Sequence, residues 1–523
     1  MVKRKYPVST QTFSDVREMY DVYIDKTLHI YNLITSNKVV FLARPRRFGK
    51  SLLCSTIASV FQNKRELFSG LAIDKTDWEW KEYPVIHLDM MVGDILGKAG
   101  EQALIHSLNR QLNSVCREYE ISVEPSEMIA NRFAEIIETL SLKINKVVVI
   151  IDEYDKTLLK TIDKPELHEK IREILQGFYG VLKNIDKSIR FVFIIGITKF
   201  AQVSMFSGMN QPDDISTNPK YADICGISQA ELEENFKQEI EEFSIEYGGK
   251  EKYLQKLKDT YDGYCFSTKK LSVYNPFGLI RHFKNDANFS PFWSGSGTTT
   301  FMVKYLDKNY IDFVNIENIT MQENDFANYR FDQIKLIPLL YQSGYLTITD
   351  FDKETGLYTL NYPNTEVREY FANFLADSYS DSQKILNRSQ LAQFVKTIIN
   401  GDINEFMESL KIFLHHIDYS LSSQITEYYF EFAVSNIINM LGLVCEHEVH
   451  TATGRIDSVI LTPKRIYVFE FKVNKPIESA LKQIKRKDYA LYYANDGREI
   501  VKIGVIFSRE ERNILEWKVI SGS

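Results

Sequence analysis

The stretch that decides the fold is KVVFLARPRRFGKSLLCSTIASVFQ, residues Lys38 to Gln62. It opens with a short apolar run that predicts a buried strand, and it closes with helical spacing that begins at Ser51. Between the two lies a basic turn with a single glycine, Gly49. A strand, a turn and a helix in this order can hold a phosphate, because the N–H groups of the turn and of the helix N-terminus point at the anion.

The second half of this turn, Gly49–Lys50–Ser51, matches a phosphate-binding loop in which the lysine reaches the terminal phosphates and the hydroxyl binds Mg²⁺. Arg44 stands where that pattern has its first glycine, so a strict motif search would miss the loop. The pattern predicts ATP and Mg²⁺ as cofactors. The predicted nucleotide-binding residues of the turn are Arg46, Arg47, Phe48, Gly49, Lys50 and Ser51.

Two later strands are predicted to complete this site. An apolar run that ends at Ile151 leads into Asp152 and Glu153. We predict that Asp152 binds Mg²⁺ together with Ser51 and that Glu153 orients the attacking water, since these roles require acids at the end of a buried strand. A second apolar run, FVFIIGI, is followed by Thr198, which is either a polar sensor of the γ-phosphate or a structural residue.

Composition limits the class of protein. A chain of 523 residues is too long for one hydrophobic core, and its hydrophobic content of 44% is ordinary for a globular protein. The net charge of −7 means that contact with nucleic acid requires a local basic patch. Five scattered cysteines argue against a disulfide framework and against a zinc site, and the apolar runs are too short to cross a bilayer. We therefore expect a cytoplasmic protein with no membrane partner.

Strand-like runs alternate with helical segments in the first part of the chain, which predicts a parallel α/β sheet with crossover helices. The predicted organisation is a nucleotide-binding domain over residues 1–235, a mostly helical middle or lid region over residues 236–390, and a second α/β domain over residues 391–523. In the last domain the pattern predicts a helix at 422–441, two strands, a further helix and a closing strand.

Two acids in the last domain are predicted to meet across a hairpin. If Arg455–Thr462 pairs with Arg465–Val473 around a symmetric turn, Asp457 falls opposite Glu470, whereas a three-residue turn would shift the pairing by one. Opposed carboxylates repel each other, and a divalent cation between them removes the repulsion. Lys472 projects from the same face as Glu470, and such a set suits phosphodiester hydrolysis. The alternative is a half-exposed strand with alternating charges.

Four segments resemble the bacterial AAA-ATPase-like family: YIDKT at Tyr23–Thr27, the loop RPRRFGKS, and the later GITKF and NPFG segments. In that family arginine commonly replaces the first glycine of the loop. The resemblance covers about residues 5 to 300 and implies an AAA-like P-loop fold. It leaves three roles open for Arg46 and Arg47, which are phosphate contact within the chain, phosphate contact in a neighbouring subunit of a homo-oligomer, and a solvated basic turn.

GRID, a hairpin, EFK and a helix that contains Gln483 resemble the PD-(D/E)XK nuclease superfamily over about residues 400 to 520. The resemblance implies that Asp457 and Glu470 bind Mg²⁺ or Mn²⁺, that Lys472 is catalytic and that Gln483 supports the site. It also implies that Glu427, on the preceding helix, matches an acidic position that serves as another metal ligand in some members.

The leading hypothesis is therefore an ATP-binding protein, with ATPase activity, coupled to a Mg²⁺-dependent nuclease that acts on DNA rather than RNA. A second hypothesis is an ATP-driven switch that binds nucleic acid or a protein partner without cleavage. A third is a P-loop signalling protein whose last domain only mediates interaction. The basic residues of the last helix form either a phosphate-backbone contact or a solvated face, and they are Lys482, Lys485, Arg486 and Lys487.

Overall fold

The computed structural model forms two compact units, which are described separately. The first comprises Met1–Asn309 and Glu317–Val367, and the second comprises Tyr310–Ile316 and Arg368–Ser523. The structure describes residues 4–97, 99–199, 212–293, 319–326, 336–371, 396–415, 444–451, 454–462, 464–487, 493 and 496–521. Among these residues no helix is long and apolar enough to cross a membrane.

The first unit is built on a five-stranded parallel sheet in the order β2-β3-β4-β1-β5. Every residue of β3 is buried, because the strand is apolar up to its last residue and parallel sheets are covered on both faces. The predicted parallel α/β sheet is thus confirmed. The strands are β1 (Val39–Ala43), β2 (Val85–Asp89), β3 (Val147–Asp152), β4 (Ile189–Gly196) and β5 (Asp213–Asp214).

Helices of this unit pack on the sheet through apolar stripes, and α3 lies against β2, β3 and β4. This helix begins at Lys50, directly after the glycine of the loop, so its N-terminus lies at the carboxyl edge of the sheet. The helices up to this point of the chain are α1 (Phe13–Met19), α2 (Thr27–Ser36), α3 (Lys50–Phe61), α4 (Glu101–Glu118), α5 (Ile129–Lys143), α6 (Lys156–Thr161) and α7 (Pro165–Asn184).

The middle of the chain contains the predicted helices and also two small sheets that the sequence did not reveal. Four helices share a hydrophobic core with Tyr6 and Val22 of the N-terminal segment. Two antiparallel sheets accompany them, β6–β7 and β8–β10–β9. The division at residues 235 and 390 stays a prediction. The elements are α8 (Gln229–Asn235), α9 (Lys237–Phe243), α10 (Lys250–Tyr261), α11 (Pro276–Lys284), α12 (Leu336–Ser343), β6 (Tyr264–Cys265), β7 (Ser272–Val273), β8 (Ile319–Gln322), β9 (Thr347–Asp352) and β10 (Leu357–Asn361).

The second unit contains a five-stranded sheet in the order β11-β12-β13-β14-β15, in which only β13 and β14 run parallel. Within the described part of this unit, one helix packs on each face of the sheet, with Phe406 and Ala480 among the buried contacts. The sequence predicted β12, β13, β14 and the helix between them but not the two edge strands, and the predicted helix at 422–441 lies outside the described residues. The elements are α13 (Ile403–His415), α14 (Ile477–Lys487), β11 (Val444–Thr451), β12 (Gly454–Leu461), β13 (Arg465–Val473), β14 (Glu499–Ser508) and β15 (Asn513–Ser521).

Candidate functional sites

The predicted phosphate loop connects β1 to α3 at the carboxyl edge of the first sheet. Gly49 precedes the helix with φ of +79°, a left-handed conformation that glycine adopts without steric cost, and Arg47 has φ of +68°. Lys50 is buried, and its ammonium group donates a hydrogen bond of 3.1 Å to the carbonyl of Pro45. The lysine is therefore folded back over the loop, as expected for a side chain that would reach a phosphate held there.

Arg44, which replaces the first glycine of the motif, does not face the loop cavity. Its guanidinium donates to the carbonyls of Ser216 at 2.7 Å and Tyr221 at 3.0 Å, and it lies 4.3 Å from the ring centre of Phe266. Only 1% of the residue is exposed, and burial lowers its pKa. The arginine thus ties the start of the loop to segments far along the chain and is a structural substitution.

Asp152 ends β3 beside the start of α3, and a hydrogen bond joins it to Ser51, so the two predicted Mg²⁺ ligands lie next to each other, and their role as ligands stays a prediction. The residue is 5% exposed, and burial raises its pKa against the opposing effect of that bond. Its Oδ1 atom has no hydrogen-bond partner among the described residues. A buried carboxylate oxygen without a partner is costly unless a cation satisfies it, so the donor set fits Mg²⁺.

Glu153 lies where several positive charges meet. Its two carboxylate oxygens are 3.9 Å from Lys50 Nζ and 3.7 Å from Lys156 Nζ. Burial acts to raise the pKa of Glu153, but the charges of Lys50, Lys156 and Arg46 outweigh it and the pKa is lowered. The carboxylate is therefore ionised at neutral pH and suits the predicted contact with water. Sequence reasoning missed Lys156, which comes from the helix after this strand.

Thr198 is fully buried at the end of the segment that follows β4. Its hydroxyl donates a hydrogen bond of 2.5 Å to Asp155, and its backbone N–H donates to the same carboxylate oxygen at 2.7 Å. Burial raises the pKa of Asp155. The hydroxyl thus has a protein partner, and the sensor role of Thr198 stays a prediction.

A cavity of about 440 Å³ opens beside the loop, within the range of small-molecule sites. Its lining includes the loop, Glu153 and Lys156 as well as apolar side chains such as Val22, Ile227 and Phe277. A nucleotide likewise joins a charged triphosphate to a flat base. The lining residues are Pro7, Val8, Ser9, Thr10, Gln11, Val16, Val22, Tyr23, Ile24, Lys26, Arg46, Arg47, Phe48, Gly49, Lys50, Ser51, Leu52, Leu53, Thr56, Met91, Glu153, Lys156, Ile224, Cys225, Gly226, Ile227, Pro276, Phe277 and Ile280.

Two arginines share one aromatic ring at this cavity. The guanidinium of Arg47 lies 4.3 Å from the ring centre of Phe277, and that of Arg281 lies 4.7 Å from it. Burial, Arg281 and Arg46 together lower the pKa of Arg47, which indicates excess positive charge in the cluster. Arg281 was not predicted from the sequence, although the NPFG segment marks the start of its helix, where Asn275 accepts hydrogen bonds from the first turn.

The segment YIDKT has a structural role. Asp25 accepts hydrogen bonds from the N–H groups of Thr27 at 2.8 Å and Ala72 at 2.7 Å. Lys26 donates to both carboxylate oxygens of Glu231, at 2.6 and 2.7 Å. The segment thus fixes the start of α2 and joins it to α8, next to the cavity.

The hairpin of the second unit has the predicted register. Ser458 pairs with Phe469, and the N–H of Thr462 donates to the carbonyl of Arg465, so the next position brings Asp457 to Glu470. The ladder ends there, since the N–H of Phe471 donates to Asp457 Oδ2 at 2.8 Å instead of to a backbone carbonyl.

Asp457 and Glu470 converge on the ammonium group of Lys472. The Nζ atom donates to Glu470 Oε1 at 2.7 Å and lies 3.8 Å from Asp457 Oδ2. Glu470 is fully buried, and the other two residues are 5% and 8% exposed. Two buried carboxylates at one point form a donor set that fits a divalent cation, with the lysine ammonium supplying the balancing charge.

Gln483 lies on α14, which packs against β13 and β14 through Ile477, Ala480 and Leu481. The structure places it on the predicted helix, and its supporting role stays a prediction. Lys482, Lys485 and Arg486 are exposed on the same helix, while Glu427 lies outside the described residues.

Two segments of the chain match known family models. Residues 7–206 match the family model described as predicted AAA-ATPase, and residues 425–517 match that of the PD-(D/E)XK nuclease superfamily. The chain is also 32% identical over 535 aligned positions to an Azotobacter chroococcum protein described as "Uncharacterized protein in vnfD 5'region", and the match covers 100% of both chains.

One solved structure also matches the chain, an Orc1 protein of Aeropyrum pernix in complex with DNA. The match has 9% sequence identity and covers 92% of this chain and 98% of the other. Its TM-score is 0.26, which is too low to support an argument about fold or function.

Proposed function

Because the chain belongs to the family of AAA-ATPase-like proteins with a C-terminal domain of the PD-(D/E)XK nuclease superfamily, we propose that it hydrolyses ATP in the first unit and cleaves DNA in the second. The observation that carries the nuclease half is the convergence of Asp457 and Glu470 on Lys472 Nζ, at 3.8 and 2.7 Å. A buried ion pair contributes little net stability by itself, so its presence beside a second buried acid favours a functional site.

In the first unit the chain itself supplies most of the chemistry. Lys50, Arg46 and Lys156 provide positive charge for the triphosphate, and ionised Glu153 accepts a hydrogen bond from the attacking water. Ser51 and Asp152 hold Mg²⁺, which supplies further positive charge to the phosphates when bound. The cavity beside the loop takes the rest of the nucleotide.

In the second unit Asp457 and Glu470 hold a divalent cation, Mg²⁺ or Mn²⁺, which supplies positive charge to the scissile phosphate when bound. Lys472 then exchanges its contact with Glu470 for one with the phosphate, and its ammonium stabilises the negative charge that develops during attack. Exposed Lys482, Lys485 and Arg486 contact the phosphate backbone of DNA, so binding weakens as salt increases.

The nuclease proposal is tested by cleavage of supercoiled plasmid by the purified full-length protein with Mg²⁺ or Mn²⁺. Glu470→Ala is expected to reduce cleavage by about a thousandfold or more, because the variant loses several kcal/mol of stabilisation at the reacting phosphate. Glu510→Ala removes an exposed acid from the same unit and serves as the matched control. Equal cleavage by the Glu470 variant and the wild type would refute the proposal.

Coupling between the two activities is tested in the same assay with and without ATP. We propose that ATP binding changes assembly or access at the nuclease site, so Lys50→Ala should remove the ATP dependence of cleavage while the divalent-metal dependence remains. Cleavage that responds to ATP equally in the variant and in the wild type would show that the first unit does not control the second.

A second candidate function is an ATP-driven switch that binds nucleic acid without cutting it. The observation that favours it is the contact between Lys472 and Glu470, since the ammonium already pairs with one of the two buried acids without a metal. Salt-dependent DNA binding without cleavage under any divalent cation, together with no change in Glu470→Ala, would support this function over the nuclease.

A further inference from the structure

Three side chains from separate elements meet on the α3 face of the first sheet. The Cys54 sulfur, a ring nitrogen of His87 and a carboxylate oxygen of Asp152 all lie within 4.8 Å of one another. The register of the sheet explains this, because His87 pairs with Ile150, which shares its face with Asp152. Cys54 reaches the same place from α3, one turn after Lys50.

The environment of these groups distinguishes them from a chance cluster. Cys54 is a free and fully buried thiol, and Asp152 is 95% buried with an Oδ1 atom that has no partner among the described residues. His87 is exposed, so an ion can approach from solvent at this edge of the sheet. The site thus combines a carboxylate that requires a partner with two soft donors. Its exposed histidine gives an ion access from solvent.

We infer that Cys54, His87 and Asp152 bind a divalent transition metal of the Zn²⁺ class. Sulfur, imidazole and carboxylate donors are the ligands that Zn²⁺ prefers, whereas Mg²⁺ takes oxygen ligands almost alone. Three protein ligands leave the fourth tetrahedral position to solvent. On binding, the thiol releases its proton to solvent and a sulfur–metal bond forms.

The site overlaps the one proposed for Mg²⁺–ATP, because Asp152 belongs to both. A Zn²⁺ ion held by Cys54 and His87 withdraws the carboxylate from Mg²⁺, so low concentrations of Zn²⁺ should inhibit ATP hydrolysis. This consequence rests on the proposed function, whereas the metal site itself does not. Cysteine spacing alone argued against a zinc site, since these ligands come together only in the folded sheet.

The direct test is titration of the full-length, nucleotide-free protein with Co²⁺ as the probe, followed by absorption of the thiolate–cobalt bond. The wild type should show this band and lose it when Zn²⁺ is added. Cys54→Ser should lack the band, and His87→Ala, which removes an exposed side chain of β2, should bind the ion about tenfold more weakly or worse. Cys265→Ser, another buried free thiol of this unit, should behave as the wild type.

Failure of this inference is distinguishable from failure of the proposed function. Lys50→Ala should still bind Co²⁺ although its ATP affinity is strongly reduced, and Zn²⁺ should inhibit the ATPase of the wild type more strongly than that of Cys54→Ser. A cobalt band that persists in Cys54→Ser, or unchanged affinity in a folded His87→Ala protein, would overturn the metal site whatever the ATP measurements show.

Discussion

The two candidate sites differ in whether their buried carboxylates are already paired with a positive charge of the protein. In the first unit Asp152 keeps one oxygen without a partner among the described residues, and the nearby Lys50 is 3.9 Å from Glu153. In the second unit Glu470 is held at 2.7 Å by Lys472. The first site is thus preorganised for a cation that comes with the nucleotide, while the second must open an internal ion pair before a metal and a phosphate can enter.

Among the effects on ligand affinity and stability, the largest is expected at the first site. Lys50→Ala removes the charge that would bind the terminal phosphates, and ATP affinity should fall by about 100-fold, which corresponds to the upper range of a charge-assisted hydrogen bond. Titration calorimetry with ATP measures it. Lys64→Ala removes an exposed lysine beyond the end of α3 and should leave the affinity unchanged. An unaltered affinity in Lys50→Ala would show that the loop does not bind nucleotide.

At the second site the loss of one charge should cost stability. Asp457→Asn weakens the bond accepted from the Phe471 N–H and the attraction to Lys472, so the free energy of unfolding should fall by about 2 kcal/mol. Denaturant unfolding of the metal-free protein measures it. A variant as stable as the wild type would mean that the hairpin does not depend on this carboxylate.

Removal of the Lys472 ammonium, which competes with a metal ion for Glu470, tests the difference between the two sites further. Lys472→Met leaves Asp457 and Glu470 without their internal cation, so Mn²⁺ should bind roughly tenfold more tightly while DNA cleavage is lost. The exposed Lys482→Met is the matched control and should leave Mn²⁺ affinity as it is. Weaker Mn²⁺ binding in the Lys472 variant would indicate that the lysine supports the metal instead of competing with it.

The smallest effect is expected at the first site, where the loss of a carboxylate should increase the free energy of unfolding instead of lowering it. Burial raises the pKa of Asp152, so its ionisation destabilises the folded protein at any pH above that raised value. Asp152→Asn removes this cost, and at neutral pH the nucleotide-free protein should become about 1 kcal/mol more stable while ATP hydrolysis is lost. Thermal unfolding measures the gain, and a destabilised variant would contradict the contrast between the sites.

The features that local sequence could predict are those set by neighbours in the chain. The turn that brings Thr462 to Arg465 determines the register of the hairpin, and so the meeting of Asp457 and Glu470 could be derived. The apolar strand before Asp152 likewise revealed its position. In each case the decisive contact lies within a few residues or along one strand pair.

The features that the local sequence could not predict depend on contacts between distant segments of the chain. Arg44 looks like part of a basic turn, but its partners Ser216 and Tyr221 lie more than 170 residues away. Arg281 shares the ring of Phe277 with Arg47 of the loop only because its helix packs beside the loop. The edge strands β11 and β15 carry no motif that the sequence analysis could use. They are identified only by their pairing with β12 and β14 in the sheet.

The measurement that tests the account most directly is Mn²⁺ binding to full-length protein that carries Asp152→Asn, a change that disables the first metal site. We predict one Mn²⁺ ion per chain at the hairpin, and its affinity should collapse when Glu470→Gln is added. Absence of Mn²⁺ binding, or binding that is unchanged by the second substitution, would contradict a metal site at Asp457 and Glu470 and with it the nuclease assignment.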